Sequence, residues 1–231
     1  MSPIDARELK MYHTSIIMSI ANSKDTYSNL LYRSPVGRSS NNCYAYAIDH
    51  YDTEQGNKLQ PGELSGKDSP MDLSDCADLV QRAINDAKSM GWTLTPSNVN
   101  SKCSKNQYHV MAVLSPDRDY HWYRHHKHVL YRIQTPRSIR AIAREFGVPE
   151  KDVHIPGDPS KANAGDLVLV RNAHVWSHKR GLSEEGPLLK DACGKFIKNP
   201  AKACRAYPGL NYSVVCQTFC LNKASVKNNK R

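Results

Sequence analysis

The sequence contains no apolar run long enough to cross a bilayer. The one apolar stretch near the N-terminus, Ser15-Ile16-Ile17-Met18-Ser19-Ile20-Ala21, is too short for a span and lacks the flanks of a standard signal peptide. Synthesis in a cytoplasm without a signal peptide is therefore expected, with carriage in a virus particle or another export route if the target lies outside. Acidic residues are outnumbered: 22 Asp and Glu stand against 32 Lys and Arg, a formal charge of +10. Such a balance suits an acidic partner, whether a wall polyanion, a nucleic acid, a membrane face or an acidic protein in an assembly. No pair of cysteines has the spacing of a CxxC zinc knuckle. The seven cysteines (43, 76, 103, 193, 204, 216 and 220) are odd in number, so at least one thiol stays unpaired. Cys193 with Cys204, or Cys216 with Cys220, could pair in an oxidising setting.

The residues present give the chain an order. Residues 6–22 carry Leu9, Ile16, Ile17 and Ile20 at near-helical spacing and predict a lead helix, followed by a polar loop. Asn41 or Asn42 then caps a helix that opens at Cys43, where the free first-turn N–H groups and the helix dipole favour an anion and a lowered thiol pKa. Ala45 and Ala47 let that helix press on a sheet. Residues 57–71 form an irregular segment expected to cover part of a cleft. Ser74 to Gly91 is a second helix, with Ser74 as cap, Leu79, Val80, Ala83, Ile84 and Ala87 as apolar stripe, and Cys76 as a core residue. From Tyr108 the period changes to two: a strand over His109–Leu114, a turn at Ser115–Arg118, and a strand over Asp119–Arg124 with Asp119, His121 and Tyr123 on one face.

A cysteine at a helix start followed by a histidine on a strand is the order in which an imidazole can take a thiol proton and return it to a leaving group. The segment Ala173 to Lys179 places His174, Trp176 and His178 on one face, and His178 is the candidate to orient His121, with Asp119 and Asp191 in reserve. The Asn42–Cys43 backbone is a candidate oxyanion site.

Two further features carry less. His125, His126 and His128 lie beside Arg124 and Lys127, which repel a cation, so no metal site is assigned and no cofactor is expected. Arg132, Arg137, Arg140 and Arg144 come without an aromatic-interleaved or groove-reading motif, so they read as a solvated helix face rather than a nucleic-acid contact.

Asn42-Cys43-Tyr44-Ala45-Tyr46-Ala47, with Asp119-Tyr120-His121-Trp122-Tyr123-Arg124 and Trp176-Ser177-His178-Lys179, resembles the papain-like amidases and peptidases that include CHAP and NlpC/P60 domains. The Gly-His pair usual in CHAP domains is absent. The resemblance implies a thiol-bearing helix packed on an antiparallel sheet that carries the histidine, and cleavage of peptide or amide bonds in cell-wall material. Between the histidine strands, Tyr131-Arg132-Ile133-Gln134, Ile139 to Val148 and Ala164 to Val170 resemble a LysM module, with a second short helix from Pro149 to Val153. That likeness implies a peptidoglycan or other N-acetylglucosamine glycan as partner, contacted by Gln134, Thr135, Arg137, Ser138, Gly157 and Asp158. The usual Gly-Asp-Thr-Leu reads Thr135-Pro136-Arg137-Ser138-Ile139 here.

The expected architecture is therefore α+β: a papain-like domain interrupted by a small βααβ LysM-like insert. Its parts are an N-terminal helix and linker (1–35), the two halves of the papain-like domain (36–127 and 172–222), the insert (128–171) and a disordered basic tail (223–231). The functional expectation is a thiol-dependent amidase or endopeptidase using Cys43, His121 and His178. The alternative is a non-catalytic structural or binding protein, such as a basic minor component of a virus particle.

Overall fold

A computed structural model describes residues 26–28, 32, 34–53, 58–155, 160–181 and 186–223. The expected lead helix over 6–22, Gly157, Asp158 and the tail from 224 onward lie outside the described residues. In chain order the elements are β1 (Thr26–Ser28), α1 (Pro35–Ser40), α2 (Cys43–Ala47), α3 (Ala77–Ser89), β2 (Thr93–Ser97), β3 (Gln107–Ser115), β4 (Asp119–His126) and β5 (His128–Arg132). They continue as β6 (Arg137–Ser138), α4 (Ile139–Phe146), β7 (Val153–His154), β8 (Lys161–Ala162), β9 (Leu167–Val170) and β10 (Val175–His178), then β11 (Ala206–Tyr207), β12 (Leu210–Asn211) and β13 (Val214–Asn222). The fold is α+β with sheet outweighing helix.

The chain divides into two compact units, one of residues 1–30 and 126–175, the other of residues 31–125 and 176–231. The larger unit is built on a five-stranded sheet in the order β10-β4-β3-β13-β2. The pairs β3/β4, β3/β13 and β13/β2 are antiparallel. Strict alternation on β3 and β4 gives the sheet two apolar faces. One face, with Val110, Ala112, Leu114, Tyr120 and Trp122, takes α2 and α3. The other, with Met111, Val113 and Tyr123, is covered by Trp176, Ile197 and Tyr212.

Several expectations change here. The helix at Cys43 is short and ends at Ala47, because Asp49 takes a left-handed φ of 57° that breaks the turn. The helix expected from Ser74 begins at Ala77, and Cys76 is no plain core residue: it is bonded to Cys216. The other disulfides are Cys103–Cys220 and Cys193–Cys204, and Cys43 alone is free. Cys216 and Cys220 do not pair, because four residues of one extended strand separate them by about 13 Å, beyond the reach of a disulfide, and a β-bulge between Val215 and Gln217 turns Cys216 to the other face. Cys216 then packs on the α3 side while Cys220 lies against His109. Lys223, the first residue of the expected tail, is tied down: its Nζ donates to the Asp49 carbonyl at 2.6 Å and lies 4.5 Å from the centre of the Trp92 ring.

A buried carboxylate fixes the segment after residue 58. Asp86 on α3 accepts from Tyr44 Oη (2.8 Å), Gly62 N (2.7 Å), Ser65 N (2.9 Å) and Ser65 Oγ (2.9 Å). Gly62 holds φ at 107°, and a Cβ there would press on the Arg82 side chain at 3.2 Å, so the turn requires glycine.

The smaller unit has a four-stranded sheet ordered β1-β5-β9-β7 and a two-stranded β6/β8 ribbon. β1 lies parallel to β5, so the stretch 23–40, a polar loop by its sequence, carries this strand as well as α1. The helix expected from Pro149 is a single 3-10 turn, Glu150–Asp152, because β-branched Val153 enters β7 and pairs with Val170. Ile142, Ala143 and Phe146 of α4 are buried, and Gly147 at φ 67° ends the helix.

Candidate active site

The segment leading to Cys43 is held by its own polar side chains. Ser34 Oγ caps α1 by accepting from Gly37 N at 3.0 Å. Asn41 then turns extended and exchanges two bonds with Asp52, donating to its carbonyl at 3.0 Å and accepting from its N–H at 2.9 Å. Asn42 is the cap of α2: its Oδ1 accepts from Ala45 N at 3.0 Å, and its Nδ2 donates to the Leu59 carbonyl at 2.7 Å. The Asn42 side chain thus uses its Oδ1 and one of its two Nδ2 hydrogens in structure. The Cys43 N–H, at the first helical position, has no carbonyl a turn behind it within the helix and remains the donor available there.

Cys43 is 5% exposed and packs in the cluster around Tyr44, Tyr120 and Trp122. Burial, reinforced by the negative Asp119, pushes its thiol up to about 12, against the opposing pull of the Trp122 backbone, Lys58 and Lys179. The expectation of a thiol lowered by its helix start is therefore overturned. A helix of five residues brings little dipole, and desolvation of a thiolate outweighs it.

His121 and His178 do come together. His121 Nε2 lies 2.8 Å from His178 Nδ1, and His178 Nε2 lies 3.0 Å from the Lys190 carbonyl. A carbonyl only accepts, so neutral His178 carries its proton on Nε2 and presents a lone pair at Nδ1. His121 must then donate from Nε2, which leaves its Nδ1 as the basic atom. Burial, the adjoining His178 and Arg180 hold His121 well below the usual imidazole range, so it is neutral at pH 7.

Alternation places His121 on the sheet face of Tyr123, opposite the face that receives α2. Cys43 and His121 nevertheless line one cleft of about 320 Å³. Its other walls include Lys58 and Gln60 from the segment expected to cover it, and Arg180, Tyr207 and Tyr212. Comparison with protein-family models, curated proteins and solved structures finds no match.

The remaining candidates are placed as follows. His174 is not on a strand: it lies just before β10 with a left-handed φ of 45°, so it does not continue the alternation of Trp176 and His178. Asp191 organises a turn, its carboxylate accepting from the N–H groups of Cys193, Lys195 and Cys204. Asp119 accepts from Tyr120 N at 2.8 Å and Tyr212 Oη at 2.7 Å, and forms part of the cleft wall rather than the histidine pair. In the smaller unit Ser138 caps α4 and Arg137 pairs with Glu145, while Gln134 and Thr135 are exposed.

Sequence reasoning missed the tyrosine wall and Lys179. The Tyr207-Pro208-Gly209-Leu210 run signals a turn, and it forms the β11/β12 hairpin, but nothing local says that it would face Cys43. Lys179 is fully buried, donating to the carbonyls of Arg38 (3.1 Å) and Gly181 (2.6 Å), and burial lowers its pKa to about 8.

Proposed function

We propose that the unit of residues 31–125 and 176–231 is a papain-like thiol amidase or endopeptidase. The observation that carries this reading is the chain His121 Nε2, His178 Nδ1, Lys190 carbonyl, which fixes a basic Nδ1 on a histidine that shares a cleft with the one free cysteine. His178 is the orienting residue, in the role a third group plays in such triads.

Sulfur and imidazole begin neutral in this scheme. The Cys43 sulfur attacks the carbonyl carbon of the substrate as its proton passes to His121 Nδ1, and the Cys43 N–H faces the developing oxyanion. Collapse breaks the C–N bond, the departing amine takes the proton from Nδ1, and a thioester remains. Water then adds while giving its proton to Nδ1, and the sulfur leaves with that proton as the acid is released.

The unit of residues 126–175 is the targeting part in this proposal, a LysM-like module for an N-acetylglucosamine glycan such as peptidoglycan. The net charge of +10 suits an anionic wall, and three disulfides favour an oxidising place of action. A second reading has its own support. Cys43 sits at 5% exposure with a raised pKa, as a structural thiol in a non-catalytic binding or particle protein would.

Peptidoglycan digestion by the full chain separates the two. New amines or carboxyls released by the wild type, and lost in both Cys43→Ala and His121→Ala, support the enzyme. Binding to peptidoglycan with no release by any form supports the second reading.

A further inference from the structure

A different cluster, independent of the cleft, joins Cys103 in the segment before β3 to His109 on β3 and Cys220 on β13. Cys103 Sγ, His109 Nδ1 and Cys220 Sγ all fall within 4.8 Å of one another, with His109 and Cys220 buried and Cys103 half-buried. The two cysteines are joined as a disulfide. We propose that this disulfide is the oxidised form of a thiolate metal site, in which Cys103, Cys220 and His109 hold a zinc ion once the bond is reduced.

The geometry of His109 supports this. Its Nε2 lies 2.9 Å from the Ser101 carbonyl, which can only accept, so the ring proton sits on Nε2 and Nδ1 is a lone pair. That lone pair faces the Cys220 sulfur at 3.9 Å. A sulfur in a disulfide has no proton to give it, so a buried acceptor is left aimed at two sulfurs. A metal ion satisfies all three atoms at once. A ring N–H held by a backbone carbonyl is also the arrangement that orients histidine ligands in zinc sites. Zinc bonds of about 2.3 Å to sulfur and about 2.1 Å to nitrogen put neighbouring tetrahedral ligand atoms about 3.6 Å apart, close to the separation already present between Cys220 and His109. The half-buried Cys103 side leaves the fourth position to water.

The chemistry balances with a dithiol as reductant. It passes two electrons and two protons to the Cys103–Cys220 bond, becoming a disulfide itself. The metal then displaces both thiol protons, so binding releases two protons and strengthens as the pH rises. Reoxidation by a small-molecule disulfide, which takes up the two electrons, and two protons from water, to become a dithiol, would reform the Cys103–Cys220 bond and expel the ion, making metal occupancy a readout of the surrounding thiol–disulfide state.

The test uses cobalt(II) as probe on the full chain, reduced anaerobically with a phosphine that is then removed. One equivalent of cobalt should bind with a cobalt–thiolate charge-transfer band. The band should be lost in Cys220→Ser and weakened at least ~10-fold in affinity in His109→Ala, while the double variant Cys193→Ala/Cys204→Ala leaves it unchanged. Alkylation mapping by mass spectrometry adds a check that stands even if reduction loosens the fold: metal should protect Cys103 and Cys220 selectively. Absence of the band, its persistence in Cys220→Ser, or protection spread evenly over all thiols would overturn the proposal.

Discussion

His121 and His178 meet edge to ring, 2.8 Å between Nε2 and Nδ1 and 77° between their planes, with no carboxylate in the pair. Because the partner is an acceptor lone pair, an amide oxygen can replace it. His178→Asn should retain most of the hydrolytic rate, whereas His178→Ala should lose about 10²-fold or more in kcat as the imidazole loses its tautomer and orientation. Urea unfolding of both variants would show whether the loss follows the chemistry or the fold. Equal loss in the two would remove His178 from the orienting role.

The pH dependence of Cys43 alkylation should be steep. With its thiol pushed up to about 12 by burial, the thiolate fraction near neutrality rises about tenfold per pH unit. Iodoacetamide rates measured from pH 7 to pH 10 should climb throughout. A plateau beginning near pH 5 would mean a preformed thiolate–imidazolium pair, contrary to the neutral pair derived for the resting site.

His121 also ties stability to acid. Its folded pKa is depressed below the ordinary 6.5 by burial, His178 and Arg180, so the contribution is present above that value. As the pH falls below 6.5 the unfolded chain takes up a proton that the folded ring refuses, and stability is lost toward the lowered folded pKa. Denaturant midpoints at pH 7.5, 6 and 5 should therefore fall faster for the wild type than for His121→Gln. Parallel curves would contradict the depressed pKa.

Asp86 links the nucleophile helix to the segment that walls the cleft. Removing its carboxylate strands the buried Tyr44 hydroxyl and the buried Gly62 N–H away from water, while the exposed Ser65 can turn to solvent. Asp86→Ala should cost on the order of 3 kcal/mol in equilibrium unfolding. Cleft-dependent activity should fall with it, because Gln60 hangs from the same turn. A change under ~1 kcal/mol would mean that water replaces the carboxylate.

Local rules reach a definite distance into this protein. Asn42 as cap, Cys43 at the first helical position, the β3/β4 hairpin and α4 ending at Gly147 all follow from side chains that bond or pack within a few residues of themselves. The same rules fail at Asp49, at the bulge before Gln217 and at His174, where the backbone geometry depends on contacts far along the chain.

The sequence alone determined that at least one thiol must stay unpaired, that helices and strands combine in an α+β chain, and that His178 could orient His121. Only the tertiary structure decided which cysteine is free, which partner sets the tautomer of His121, and that burial pushes the Cys43 thiol up. The reason is that propensity and spacing are carried by neighbours in the chain, whereas desolvation and hydrogen-bond pairing are set by groups that folding brings in from elsewhere. Burial overrode the helix start at Cys43, and a backbone carbonyl at Lys190, invisible to any residue pattern, fixed the proton on the histidine pair.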